Sequence, residues 1–212
     1  MKQLWPTFLI TVVIFILWNT PVMIPLKILI VFFHELSHGL AAVLTGGSIE
    51  SISISPQQGG LTTTRGGWLF LITSAGYLGS LLIGVLLYLS ALKTKADLLI
   101  MGALGATLLL VAALYMREWF ALGFTIMAGI AMLASARFLP ENINDTALKV
   151  LGLVSMGYVP FDILSDTIIR SNLRSDAYAL SIQTGLPTVL WGGIWLLASL
   201  AVIVVTFKKS LR

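Results

Sequence analysis

The sequence predicts an all-α polytopic membrane protein with about six to seven transmembrane helices and a short β-hairpin after the second. Of its 212 residues, 58% are hydrophobic and only 10% are charged, and the mean hydropathy is +0.97. Soluble domains carry about 25% charged residues, which they need to cover a wet surface, and disordered chains are poor in apolar residues. The composition therefore excludes both classes, and we expect residues 1–212 to form a single integral membrane domain.

Seven apolar segments are candidates for spans, since a membrane helix needs about 20 mostly apolar residues. The first follows Lys2 without a small-residue cleavage pattern, so we expect an uncleaved span and not a removable signal peptide. Helices satisfy their own backbone hydrogen bonds in lipid, which makes them the expected structure for every span. The predicted spans are 4–19, 22–45, 68–92, 97–116, 118–136, 147–168 and 186–207.

One stretch between the second and third spans has the pattern of a β-hairpin. Residues 48–55 alternate apolar and polar side chains over their second half, residues 56–60 are turn formers, and residues 61–64 are a β-branched return. The alternative is a short amphipathic loop at the lipid surface. A hairpin beside a membrane site could pair its edge with an extended peptide by strand addition.

Small residues recur in the third span at helical spacing. Ala75 and Gly79 are four apart, as are Ser80 and Gly84. Such pairs allow the backbones of two helices to approach closely. Spacing alone therefore predicts ordinary helix packing here.

The charged and sulfur-containing residues exclude further classes. The net charge is +4, but most Lys and Arg residues lie near the ends of apolar segments and form no basic stripe, so we expect no nucleic-acid partner. The chain has no cysteine, which excludes disulfides, thiolate ligands and a thiol nucleophile.

The segment His34-Glu35-Leu36-Ser37-His38 is the informative motif. His34 and His38 are four apart on a predicted helix, so both imidazoles can reach one metal ion. Glu35 is placed to accept a proton from a water molecule at that metal. These are the chain's only two histidines, and they lie deep in an apolar span, where ionisable groups are costly and usually functional. A metal site explains them better than interhelical hydrogen bonding does.

The third ligand of a hydrolytic Zn²⁺ site should be a carboxylate, because the chain has no third histidine and no cysteine. Spans two and six are expected to run in the same direction, and Asp162 then lies at a depth similar to that of His34. Asp162 is therefore the preferred ligand, with Asp166 as a supporting partner. Asp176 competes if its loop folds back into the membrane; otherwise Ser175 or Asp176 caps a short helix. The other carboxylates outside the motif are Glu50, Asp97, Glu118, Glu141 and Asp145.

The motif in its apolar helix resembles the site-2 protease family of intramembrane zinc metalloproteases, and more closely its compact, bacterial-type M50B-like branch. The resemblance extends over segments along most of the chain. These are 34–42, 44–47, the hairpin, 65–67, 74–80, 158–162 and 175–177.

The resemblance implies two histidines and a distant aspartate on Zn²⁺, a glutamate base at Glu35, and cleavage of a peptide bond within or beside a membrane span. It implies a membrane-protein or peptide substrate, the lipid bilayer as surroundings and a bacterial-type cell membrane. The chain departs from the family pattern at two places. Residues 160–163 replace the usual Leu-Asp-Gly at the third ligand, and residues 76–80 replace Gly-Pro followed by Asn.

The rival hypothesis is a non-enzymatic metal-binding membrane scaffold, a pseudo-protease that binds partner helices through the small-residue face of span three. A transporter is less well supported, since one H-E-x-x-H cluster without further buried charges gives no relay. From the sequence we expect Asp162→Asn to lose zinc and activity and Asp176→Asn to keep zinc.

Overall fold

The protein is a helical bundle with one β-hairpin, in a computed structural model that describes residues 4–169 and 175–210. The elements follow the predicted order. They are α1 (Leu4–Leu17), a 3₁₀ turn (Pro21–Met23), α2 (Ile24–Leu44), β1 (Ser48–Ile54), β2 (Gly60–Arg65), α3 (Leu69–Lys93), α4 (Asp97–Tyr115), α5 (Trp119–Phe138), α6 (Glu141–Leu164), a π-helical turn (Ser165–Ile169), α7 (Asp176–Thr184) and α8 (Thr188–Ser210).

Within the described residues, six helices are long and apolar enough to cross a membrane, which confirms the predicted fold class. The first predicted span is α1, whose 14 residues are fewer than the roughly 20 that a crossing usually needs. The six candidate spans are Pro21–Leu44, Leu69–Lys93, Asp97–Tyr115, Trp119–Phe138, Glu141–Thr167 and Thr188–Ser210.

Helix α2 lies at the centre of the bundle and packs against α3, α6 and both strands. The run from Ile28 to Phe33 is buried on every side, and the run from Glu35 to Gly39 is buried as well. A helix that is apolar and buried all round belongs to the core and not to the surface. The H-E-x-x-H segment is therefore carried by the most enclosed helix of the fold.

Helix α3 makes the close approaches that its small residues predict. A Cβ on Gly84 would lie 2.6 Å from the Cβ of Ser155 in α6, and a Cβ on Gly79 would overlap the Ser37 side chain of α2. Ser155 also donates a 2.8 Å hydrogen bond to the carbonyl oxygen of Ser80. The small-residue face thus fixes α3 between α2 and α6.

Helix α6 begins six residues before the predicted start of span six. Its first turns carry polar residues, which read as loop in the sequence, but Asn144 is fully buried and its side chain is satisfied. Its Oδ1 accepts a 2.9 Å hydrogen bond from Ser135 Oγ, and its Nδ2 donates to the carbonyl oxygen of Ser135 at 3.1 Å. These bonds anchor the start of α6 to the end of α5.

The two strands form the predicted hairpin, which lies against α2. They pair antiparallel from Ser48 opposite Arg65 to Ile54 opposite Gly60, with a bulge between Ile49 and Ser51. Ile52 and Ile54 are 1% exposed, so one face of the hairpin belongs to the core. β1 also packs against α4 and α5, and its Ser53 hydroxyl donates to Glu118 at 2.7 Å. β1 therefore has packing partners in α4 and α5 besides α2 and β2.

Candidate metal centre

The two histidines of α2 meet a carboxylate from α7. Their ring centroids lie 4.7 Å apart at an interplanar angle of 75°. The Nε2 atoms of His34 and His38 are 3.0 and 3.2 Å from Oδ2 of Asp176. Within the part of the chain that the structure describes, these three residues form the group able to hold a metal ion, with all ligand atoms within 4.8 Å of one another.

Asp176 reaches the histidines because α7 packs back against the bundle. Ser175 caps this helix by accepting a 3.2 Å hydrogen bond from the Tyr178 amide, which places Asp176 in the first turn. Ala177 and Leu180 are fully buried, and α7 lies against α3 and α8. The capping role considered for Ser175 is confirmed, and it coexists with a different role for the next residue.

The hydrogen bond of His38 Nδ1 determines the tautomer of the neutral ring, and with it the role of the Nε2 atom that faces Asp176. Nδ1 of His38 is 2.6 Å from the carbonyl oxygen of Ile72. A carbonyl oxygen can only accept, so Nδ1 carries the proton, and the Nε2 of the neutral ring presents a lone pair. In that neutral form two acceptor atoms, His38 Nε2 and Asp176 Oδ2, face each other, and either a proton on Nε2 or a metal ion between them resolves the conflict.

The donor set fits a zinc ion. Ligand atoms about 2.0–2.1 Å from a tetrahedral zinc are roughly 3.3 Å from each other, close to the two distances observed. Asp176 Oδ2 is buried and accepts no well-aligned hydrogen bond from any described residue. Burial raises the pKa of the Asp176 carboxyl, but when no metal is bound the charges of protonated His38 and His34 outweigh burial and hold its pKa below the ordinary range. The carboxylate is therefore ionised and suited to a divalent metal.

Glu35 is buried beside these ligands and is held by the hairpin. Its side chain is 5% exposed, and Thr62 Oγ1 lies 2.7 Å from its Oε2 and 2.9 Å from its main-chain oxygen. Gly60 lies against the same side chain, where an added Cβ would be 2.7 Å from the Glu35 carboxyl carbon. Thr62 and Gly60 were predicted only as hairpin residues. No local signal shows that β2 lies over α2.

Gly76 of α3 gives the metal ligands their space. A Cβ at this position would lie 2.5 Å from Nε2 of His38 and would overlap Nε2 of His34 even more closely. Sequence reasoning attributed the small residues of α3 to helix packing alone. The structure adds that one of them borders the ligand atoms.

A cavity of about 850 Å³ opens onto the site. His34, Glu35, His38 and Asp176 line one part of it, and residues 57–62 of the hairpin line another. The remaining wall includes Trp18, Tyr77, Tyr158, Phe161, Asp162 and Asp166. The volume is within the range of ligand-binding clefts.

Asp162 and Asp166 lie in the wall of this cavity and not in the ligand group. Depth along the predicted spans favours Asp162 as the third ligand, whereas the structure brings the Asp176 carboxylate to both histidines. The physical reason is that α7 folds back beside α3, a possibility that only tertiary structure decides. Asp166 accepts a 2.7 Å hydrogen bond from the hydroxyl of Tyr77.

Comparison with protein families identifies the chain. A family model described as peptidase M50B-like matches residues 7–206, nearly the whole sequence. Comparisons with curated proteins and with solved structures returned no match. The chain therefore belongs to the peptidase M50B-like family, and this membership indicates a membrane metallopeptidase.

Proposed function

We propose that this M50B-like chain is an intramembrane zinc metallopeptidase, which hydrolyses a peptide bond in or near a transmembrane segment of a membrane-protein substrate. One observation carries the proposal: ligand atoms of His34, His38 and Asp176 converge beside the buried carboxylate of Glu35. Family membership and six candidate spans support the membrane metallopeptidase class. The zinc ion, the membrane-embedded cleavage and the bacterial-type membrane are our inferences.

The zinc ligands in this proposal are His34, His38 and Asp176. Three protein ligands are the usual set of a catalytic zinc site, which keeps a fourth position open. A bound zinc ion supplies Lewis-acid chemistry, because it lowers the pKa of water and polarises a carbonyl oxygen. We choose Asp176 over Asp162 because Oδ2 of Asp176 lies 3.0 and 3.2 Å from the two imidazole nitrogens.

Glu35 acts as general base and then as general acid. It accepts a proton from the attacking water and delivers it to the leaving amine. Thr62 holds Oε2 of this carboxylate at 2.7 Å, which leaves Oε1 to exchange the proton. The hairpin thereby fixes the orientation of the base.

The outer edge of β2 is the expected binding site for the substrate backbone. The amide of Ser55 bonds to the Gly59 oxygen at 2.8 Å. Bonded and non-bonded pairs alternate along an antiparallel ladder, so the N–H and C=O groups of Gly60 and Thr62 point away from β1. Both residues line the cavity. A locally unwound substrate can add there as an extended strand.

Replacing Glu35 by Gln tests the proposed function. We expect purified Glu35→Gln to keep one zinc per chain and to lose cleavage of a membrane-protein substrate by at least about 100-fold. Glu50→Gln, which alters an exposed glutamate of the hairpin, is the matched control and should cleave normally. Wild-type cleavage by Glu35→Gln would refute the assignment. Zinc binding without cleavage in the wild type would favour the non-enzymatic scaffold.

The edge-strand part of the proposal has its own test. N-methylation of single backbone amides in a peptide substrate removes one donor at a time. We expect methylation at alternate positions to raise KM and to leave kcat nearly unchanged, because only every second amide faces a partner strand. Equal effects at all positions would contradict strand addition.

A further inference from the structure

The two imidazoles of the metal centre are oriented in different ways. His38 is fixed by the bond between its Nδ1 and the Ile72 carbonyl oxygen. The His34 ring packs edge to face against two rings: that of His38, at a centroid distance of 4.7 Å, and that of Tyr77 in α3, with centroids 4.8 Å apart and planes at 81°. Of these two neighbours, Tyr77 is the one that is not itself a proposed ligand. An edge-to-face pair has a preferred geometry and can therefore fix a ring plane.

Tyr77 is itself held from two further sides. Its ring centroid lies 5.2 Å from that of Trp195 in α8. Its hydroxyl donates a 2.7 Å hydrogen bond to Oδ2 of Asp166 in the π-helical turn. The side chain is 1% exposed, so it has no room to adopt another rotamer without moving its neighbours.

We propose that Tyr77 is a positioning residue of the metal centre, which sets the plane of the His34 imidazole and is itself locked by Asp166 and Trp195. This inference rests on the proposed zinc site. Residues that orient a metal-bound histidine typically contribute 10–100-fold to metal affinity or activity. The position also links the π-helical turn and α8 to the metal centre, although neither element supplies a ligand.

The same helix offers a matched control. Tyr88 is also 1% exposed, and its ring packs against Phe207 of α8 at a centroid distance of 5.9 Å. It lies eleven residues along α3 from Tyr77 and does not line the cavity. Tyr88→Leu removes the same kind of buried ring from the same interface and leaves the metal ligands untouched.

The experiment measures zinc affinity by competition with a chelator, for the full-length protein in detergent. We expect Tyr77→Leu to weaken zinc binding by about 10–100-fold and Tyr88→Leu to bind zinc like the wild type. Tyr77→Phe keeps the ring contact and loses only the bond to Asp166, so it should recover most of the affinity. The visible spectrum of the Co²⁺-substituted protein should change in Tyr77→Leu alone, since it reports ligand geometry.

Three results would overturn the inference. If Tyr77→Leu binds zinc as tightly as the wild type, Tyr77 does not position His34, and the proposed function is unaffected. If Tyr88→Leu loses as much zinc affinity as Tyr77→Leu, the loss reflects general destabilisation of the protein and not a specific role of Tyr77. A wild-type protein that binds no zinc would refute the proposed function together with this inference.

Discussion

Adding one methyl group at Gly76 should damage the metal centre more than the fold. A Cβ there would lie 2.5 Å from Nε2 of His38, and ordinary contact begins at 3.4 Å. The shortfall of about 0.9 Å is too large for a packed interior to absorb without displacing a ring or the helix. Overpacking of this kind costs about 1–3 kcal/mol of stability.

Gly84→Ala is the matched control for Gly76→Ala. It introduces a comparable overlap on the same helix, 2.6 Å from the Cβ of Ser155, but away from the ligands. A Cβ at Gly123 would meet no atom of the described residues within 4 Å, so Gly123→Ala should be neutral or stabilise slightly, because alanine favours helix. Thermal unfolding in detergent separates the overpacking variants from the neutral one.

Zinc affinity separates the two overpacking variants from each other. We expect Gly76→Ala to bind zinc at least about 10-fold more weakly than the wild type and Gly84→Ala to bind it normally. The reasoning fails if Gly76→Ala keeps wild-type zinc affinity, or if both variants lose affinity in proportion to their loss of stability.

Three further predictions concern the supports of the site. Thr62→Val removes a hydrogen bond to the Glu35 carboxylate that is worth about 1.5–3 kcal/mol, so kcat should fall about 10–100-fold while zinc is retained. The control, Thr63→Val, alters an exposed neighbour and should cleave normally. Equal cleavage rates for the two variants would contradict the role of Thr62. Ser175→Ala removes the N-terminal cap of α7 and should lower the stability by about 0.5–2 kcal/mol. It should also weaken zinc binding, because the first turn that carries Asp176 is held less firmly. Unchanged zinc affinity would show that packing alone places this carboxylate. Removal of the metal by a chelator should stop cleavage and lower the unfolding temperature, and readdition of Zn²⁺ should restore both. An unfolding temperature that does not change with the chelator would contradict a metal bound in the folded state.

The fold and the histidine pair follow from local sequence patterns. The apolar segments predict the spans because each must satisfy its own backbone bonds in lipid. Alternation followed by turn formers predicts the hairpin, and the four-residue spacing of His34 and His38 predicts one shared helix face. Each of these inferences uses residues that are close in the chain.

The parts that differ from the sequence-based expectations depend on contacts between distant segments. Depth along a span favours Asp162, but this criterion assumes that the ligand lies on a spanning helix, and α7 folds back to present Asp176. The contacts of Thr62 with Glu35 and of Gly76 with the imidazoles also join separate elements. No periodicity encodes such contacts.

Zinc content of three purified proteins tests the central claim most directly. The structure leads us to expect about one zinc per chain in the wild type and in Asp162→Asn. Asp176→Asn should lose most of its zinc, because it lacks one of the three protein ligands. The depth argument from the sequence predicts the opposite pattern for the two variants. Zinc lost in Asp162→Asn and kept in Asp176→Asn would contradict the ligand set of His34, His38 and Asp176.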